Sequence, residues 1–195
     1  VSVSSGLLVV IAGPSGVGKG TVHARVRAEL GDVFLSISAT TRAPRPGEMD
    51  GVDYHFVDRA RFEELVEGGA FLEWAEYAGN RYGTPRAPVE EAVARGQVVV
   101  LDIELQGALQ VKEQEPSALL VFLVPPSFEE LERRLHARGT EDPVAIARRL
   151  DRAHEELAAG ERFDVEVVND DLDRCVAEVA ATIEARRASI ADQQG

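Results

Sequence analysis

"GPSGVGKGT", residues 13–21, follows directly on the unbroken apolar run "LLVVIA" of residues 7–12 and leads into a helical pattern over residues 22–30. The spacing G-x-x-x-x-G-K at a turn between a buried strand and a helix is the signature of a loop that cradles phosphates. Glycine lacks a β-carbon, so the backbone through Gly13, Pro14, Ser15, Gly16, Val17 and Gly18 can wrap closely and turn successive N–H groups toward an anion. The helix N-terminus adds positive potential, and Lys19 supplies a mobile charge. After the lysine comes Gly20, where Ser or Thr usually meets a metal ion, and the first hydroxyl is displaced to Thr21. The loop therefore offers no strong direct metal ligand. A tight turn with an incidental lysine is the plain alternative, but strand, loop and helix stand in the order a nucleotide site requires.

Outward from this loop, residues 98–101 and 119–124 form two more apolar runs without polar alternation, and so read as strands buried on both faces. Helical patterns at residues 22–30, 89–95 and 105–112 separate the runs, and residues 165–168 add a further strand. This alternation predicts an α/β fold, a parallel sheet of the P-loop NTPase type flanked by helices. Residues 35–88 break the pattern with a Pro- and Gly-containing loop, "TTRAPRPGEMDG", strand-like pieces "DYHFV" and "AFLEWAEY", and a helical piece at residues 62–66. They read as an inserted lobe. Ser127 with Glu130 forms a capping box that opens an arginine-rich helix, and "RGTEDP" at residues 138–143 divides it from a second helix with apolar Ile146, Leu150, Ala153 and Leu157. These two helices read as a mobile cover. One domain is expected over residues 1–195, with a core of about 1–35, 88–126 and 159–195, a lobe of about 36–87 and a lid of about 127–158.

The net charge of -13 argues against a nucleic-acid partner, because such affinity comes from clustered Lys and Arg. Any anionic ligand must be met by local basic groups. Lys19 and Lys112 are the only lysines, and one of them lies in the glycine-rich loop. No apolar run approaches the ~20 residues that span a bilayer, and the start of the chain lacks the pattern of a signal peptide, so a cytoplasmic protein without a membrane partner is expected. The single cysteine, Cys175, falls on the apolar stripe Leu172, Val176, Val179 and Ile183 of a final helix and reads as a buried structural thiol. His23, His55, His136 and His154 lack ligand spacing, so zinc has little support.

Three groups of side chains outside the loop suit phosphate chemistry. Asp102 ends the run "VVVLD" where ligands gather at the carboxyl ends of parallel strands; it can reach a hydrated metal ion there, or it caps a turn. Arg42 and Arg45 share the proline-containing loop, and their planar guanidinium groups suit a phosphate held by two prongs, or a solvated surface. In the arginine-rich helix, Glu129 with Arg133 and Glu130 with Arg134 stand at i,i+4, which makes a salt-bridged surface a full explanation of some of these arginines. Glu73 is flanked at i-2 and i+2 by Phe71 and Ala75, a spacing that puts it on a pocket face of its strand; Trp74 is assigned to the core.

Taken together, "GPSGVGKGT", "SATTRAPRPGEMDGVDYHF", "FLEWAEYAGNRYGT", "LDIELQG" and "VNDDLD" closely resemble the guanylate kinases among the nucleoside-monophosphate kinases, in the right order and over nearly the whole chain. The resemblance implies transfer of a phosphoryl group from ATP to GMP, with magnesium accompanying ATP and no obligate protein partner. It implies that Arg42, Arg45, Tyr54 and Tyr82 hold the GMP phosphate, and that Ser38, Glu73 and Thr84 recognise guanine, with a further acidic residue at Glu104. There a shorter Asp is also familiar, which leaves open whether Asp102 and Glu104 act on metal, ribose or base. It also implies that Arg134, Arg138 and Arg149 bring positive charge from the lid, and that Asn169 and Asp170 lie near adenine. Packing within the lobe is the alternative for the two tyrosines, whose buried phenols seek a partner. "GKGT" is similar to adenylate kinase, so Gly20 fits a monophosphate-kinase habit. The choice of base has a physical rationale: guanine presents two adjacent donors that one carboxylate accepts together, whereas adenine turns an acceptor toward it. Rival readings are a nucleotide hydrolase, with Glu104 or Gln106 orienting water, a scaffold domain that binds phosphorylated peptide, and an adenylate kinase. An intact phosphate loop argues against the scaffold.

Overall fold

The structure, a computed structural model, describes residues 6–77, 79–137 and 143–194. In chain order the elements are β1 (Leu7–Ala12), α1 (Lys19–Leu30), β2 (Val33–Phe34), β3 (Ala39–Thr40), β4 (His55–Phe56), α2 (Arg59–Glu67), β5 (Phe71–Tyr77), β6 (Asn80–Pro85), α3 (Arg86–Ala94), β7 (Val98–Asp102), α4 (Leu105–Gln114), β8 (Leu119–Val124), α5 (Phe128–Ala137), α6 (Pro143–Ala158), β9 (Val165–Val168) and α7 (Leu172–Gln194). The apolar runs become a parallel sheet in the order β2-β7-β1-β8-β9. With β1 in the middle, the strand order reverses at its carboxyl end, which opens a crevice there. The phosphate loop leaves β1 at that point.

Residues of β1 point alternately to two helical layers. Leu7, Val9 and Ile11 pack with Val22 and Val26 of α1 and with Cys175, Val176, Val179 and Ile183 of α7. Leu8, Val10 and Ala12 pack with Val89 and Ala92 of α3 and Ala108 and Val111 of α4. Both faces are covered, which is why these strands show no polar alternation. Each large apolar side chain fully buried here stabilises the fold by about 1.5–3 kcal/mol, so the loops at the strand ends are carried on a rigid base. Cys175 is buried, as its position on the apolar stripe predicts.

The inserted stretch forms its own sheet in the order β4-β3-β6-β5, closed by α2 through Phe62, Phe71 and Ala39. The register of β5 against β6 shifts between Phe71 and Glu73. That irregularity breaks the parity assumed from the sequence: Phe71 stacks on Phe62 in the lobe core, centroids 4.7 Å apart, while Glu73 and Ala75 face a cavity. Trp74 departs from its assignment too. It is 36% exposed and wedged between the edge of Phe62 and the guanidinium of Arg81, 5.5 Å from its ring, because an aromatic face satisfies a cation without full burial.

The helices expected to form a lid, α5 and α6, are joined to the core: Leu131 of α5 and Ala153 of α6 belong to the same buried cluster as Val9 and Ile11. Phe128 and His154 pack ring on ring at 3.8 Å between centroids, tying α5 to α6. Only half of the capping box forms. Ser127 Oγ accepts from the Glu130 N–H at 3.2 Å, but the Glu130 carboxylate turns to Arg133 and Arg134, where it finds charged donors. Arg133 thus pairs with Glu130 at i,i+3, in place of Glu129. The breaker "RGTEDP" lies, up to Asp142, outside the described residues. Among the described residues no helix is long and apolar enough to cross a membrane.

Candidate active site

At the end of β1 the loop bends through Gly13, with φ 153°, where a β-carbon would stand 2.5 Å from the Leu123 carbonyl oxygen. Gly18 caps α1 in the left-handed region at φ 102°, and a β-carbon there would lie 2.8 Å from Asn169 Nδ2. No other residue fits either position without displacing the backbone or a buried amide. The loop lines a cavity of about 480 Å³ with Pro14, Ser15, Gly16, Gly18, Lys19, Gly20 and Thr21, closed on the far side by Asp102 and Glu104. Val17 lies outside that lining: its side chain is buried in the core and its N–H donates to the Pro14 carbonyl at 3.2 Å. Lys19 Nζ donates to the Gly13 carbonyl at 2.7 Å, so the charge rests across the mouth of the loop. At Gly20, in contrast, a β-carbon would meet nothing within 4 Å. Crowding does not demand that glycine.

A second cavity, of about 270 Å³, lies between the sheet and the lobe, walled by Ser38, Tyr54, Glu73, Tyr77, Tyr82, Asp102 and Glu104 among others. Glu73 is its most buried acid. Thr84 Oγ1 donates to Glu73 Oε1 at 2.6 Å. Burial pushes the Glu73 carboxyl above the ordinary carboxylate value, and the Thr84 hydroxyl and N–H pull it back in part. Its other oxygen lies against Gly107 of α4, where a β-carbon would stand only 2.5 Å away. Tyr54 and Tyr82 meet edge to face at 6.1 Å. The guanidinium of Arg42 lies 5.4 Å from the Tyr54 ring centre, and Glu48 grips it through both oxygens. Glu48 also accepts from the Arg45 N–H at 2.7 Å; it is held below the usual carboxylate range, chiefly by Arg42.

The two cavities share a wall made by Asp102 and Glu104. Desolvation raises the Asp102 carboxyl above its ordinary value, Lys19 and His23 draw it down, and Glu104 raises it further. Thr21 and Asp102 face the same cavity, but among the described residues no group of three or more His, Cys, Asp or Glu is placed to hold a metal ion.

The residues expected on the lid and near adenine have the following protein partners. Arg134 spends its donors on the protein: Nε on Glu130 at 2.8 Å, Nη1 on the Val17 carbonyl at 3.3 Å and Nη2 on the Asn169 carbonyl at 3.0 Å. Asn169 is buried and its Nδ2 donates to Val17 O at 2.8 Å, so Arg134 and Asn169 together brace the phosphate loop from behind. Asp170 pairs with Arg174 at the start of α7. Arg149 is half-buried on α6, and Arg138 lies outside the described residues. Sequence reasoning missed Glu48, Gly107, Tyr77, and Arg152 with Glu156 of α6. Two local signals were present, an acid three residues after Arg45 and the i,i+4 spacing of Arg152 and Glu156; Gly107 and Tyr77 are placed by contacts between elements.

A family model described as Guanylate kinase matches residues 5–186. A guanylate kinase of Synechococcus sp. (strain CC9311) is 58% identical over 170 residues, covering 87% of this chain and 90% of that protein. One from Thermus thermophilus is 57% identical over 182 residues, 93% of this chain and 82% of the relative. The crystal structure of guanylate kinase from Anaplasma phagocytophilum superposes with a TM-score of 0.74 at 34% identity, covering 94% of this chain and 87% of that one.

Proposed function

The chain belongs to the guanylate kinase family, and from that premise we propose how its two cavities serve the reaction ATP + GMP giving ADP + GDP, in purine nucleotide metabolism and GMP recycling. The enzyme is a nucleoside-monophosphate kinase with two small-molecule substrates. One observation carries the site reading: Asp102 and Glu104 wall both the phosphate-loop cavity and the lobe cavity, so nucleotides seated in the two meet at their phosphate ends. The loop from Gly13 to Thr21 takes the triphosphate, with Asn169 and Asp170 toward the adenine side. Ser38, Glu73 and Thr84 take guanine; Arg42, Arg45, Tyr54 and Tyr82 take its phosphate.

Chemistry then needs alignment and charge neutralisation. The second pKa of a phosphate monoester is about 6, so GMP brings its own anionic oxygen and no protein base is required. That oxygen forms a bond to the terminal phosphorus of ATP as the bridging P–O bond breaks, and ADP leaves with the electron pair. Lys19, Arg149 and the undescribed Arg138 would neutralise the oxygens in flight, with Arg134 holding the loop in shape. Thr21 and Asp102, one hydroxyl and one carboxylate on the same cavity, fit a magnesium ion that keeps several waters and arrives with ATP. When bound, that ion screens the charge of the phosphate chain. The proposal takes residues of about 36–87 as the acceptor lobe and about 127–158 as the lid of a single domain, supported by the separate lobe sheet, and a cytoplasmic setting, in keeping with the likeness to bacterial guanylate kinases.

A coupled assay of ADP formation with GMP, AMP, CMP and UMP in turn tests the reading. Turnover with GMP and little with AMP is expected; protein that binds ATP yet converts no GMP overturns it.

A further inference from the structure

One guanidinium touches all three parts of the molecule. Arg152 stands on the lid helix α6; its Nη2 reaches Glu104 Oε2 at 3.3 Å, its Nε is held by Glu156 Oε1 at 3.0 Å, and its Cζ lies 5.6 Å from the centre of the Tyr77 ring. Glu104 precedes α4 in the wall shared by the two cavities, and Tyr77 closes the acceptor cavity from lobe strand β5. Glu156 is buried, so the base of the arrangement is fixed. Arg152 and Glu104 remain about half exposed, at 46% and 49%, so the pair contributes little to overall stability. Its consequence is positional. One oxygen of Glu104 is taken from the lid side, which leaves the other to the acceptor, and the Tyr77 ring is held under a cation.

We propose that Arg152 is a positioning residue for the acceptor nucleotide: it fixes the Glu104 carboxylate and the Tyr77 ring, so that lid and lobe close on GMP as one unit. The proposal rests on the GMP-kinase reading above. A planar fork can serve two carboxylates and a ring face at once, which an ammonium cannot, so Arg152→Lys separates the arrangement from mere positive charge.

The test is steady-state kinetics on wild type, Arg152→Ala, Arg152→Lys, Glu104→Gln and the Arg152→Ala/Glu104→Gln double variant, with a melting curve for each free protein. Arg152→Ala should raise KM for GMP about fivefold and leave KM for ATP within about twofold, with Arg152→Lys intermediate. In the Glu104→Gln background, removing Arg152 should add less than it does in wild type, the remainder coming from the freed Tyr77 ring. An unchanged KM for GMP in the folded Lys and Ala variants, or fully multiplicative effects of the two substitutions, overturns the proposal. If those results come from a wild type that phosphorylates GMP, only the role of Arg152 falls. If wild type phosphorylates no GMP, the activity reading fails and this role goes with it.

Discussion

Glu48 holds Arg42 by a two-pronged ion pair, with Oε1 and Oε2 each 2.9 Å from a guanidinium nitrogen. A third donor, the backbone N–H of Arg45, closes on the same carboxylate, and the Ala43 carbonyl accepts from Arg42 Nη1 at 2.8 Å. The Nε edge of the fork stays outside the ion pair, so the loop acid sets the direction in which Arg42 presents its remaining donors. Sequence alone suggested two arginines for one phosphate; the fold adds the acid that aims one of them.

Replacing that acid by its amide leaves one acceptor where the fork needs two. Glu48→Gln is expected to raise KM for GMP about tenfold while KM for ATP stays within about twofold, in proportion to the loss of a charge-assisted pair. Kinetics with GMP varied at saturating ATP checks it, and an unaltered KM for GMP removes Glu48 from this role.

Glu73 is a buried acid whose carboxyl titrates above the ordinary value, chiefly through desolvation. The sign follows from linkage: a carboxyl with a raised folded pKa costs stability above that pKa and regains it as pH falls toward the unfolded value of about 4.3. Glu73→Gln should therefore melt higher than wild type at pH 7–8, by about 2–4 °C for each kcal/mol of desolvation relieved, with the gap narrowing in acid. Its turnover with GMP should collapse while ATP binding holds. A variant that melts lower at pH 8, or keeps its GMP kinetics, contradicts this account.

Gly107 permits the close approach of α4 to Glu73 Oε2. An alanine there gains helix propensity of up to about 1 kcal/mol but pushes the carboxylate from its place. The melting temperature of Gly107→Ala should stay near that of wild type, while KM for GMP rises at least about tenfold, as for a hydrogen bond lost to a charged group. A crystal structure with Glu73 unmoved would dispose of this reasoning.

Gly20 has open space where a side chain would go. Its conformation lies outside the positive-φ glycines, so Gly20→Ser should fold normally and gain about 0.5 kcal/mol from helix propensity. The new hydroxyl stands where phosphate loops usually meet the metal, and a magnesium titration of the rate should shift to lower concentration. An unshifted titration would show that Thr21 and the nucleotide already meet the demand.

Much was readable in consecutive residues because the physics involved is local. A phosphate loop is written in nine neighbouring positions, and a doubly covered strand in a short run without polar alternation. Parity along β5 was not readable: the register shift between Phe71 and Glu73 depends on pairing with β6, and it sends Phe71 to the lobe core while Glu73 faces the cavity. The partial exposure of Trp74 was unreadable for a related reason, since its cationic neighbour Arg81 comes from the adjoining strand.

The sequence by itself determined the parallel sheet and the cradle at its centre, because apolar periodicity and glycine spacing act within one element; its motifs, in order, carried the resemblance to the family. Tertiary structure alone decided which charges meet: Arg134 with the back of the loop 117 positions away, Arg152 with Glu104 at a separation of 48, and Gly107 beside Glu73. Electrostatic and steric partners are chosen by distance in space, and that distance exists only after the buried strands have brought the elements together.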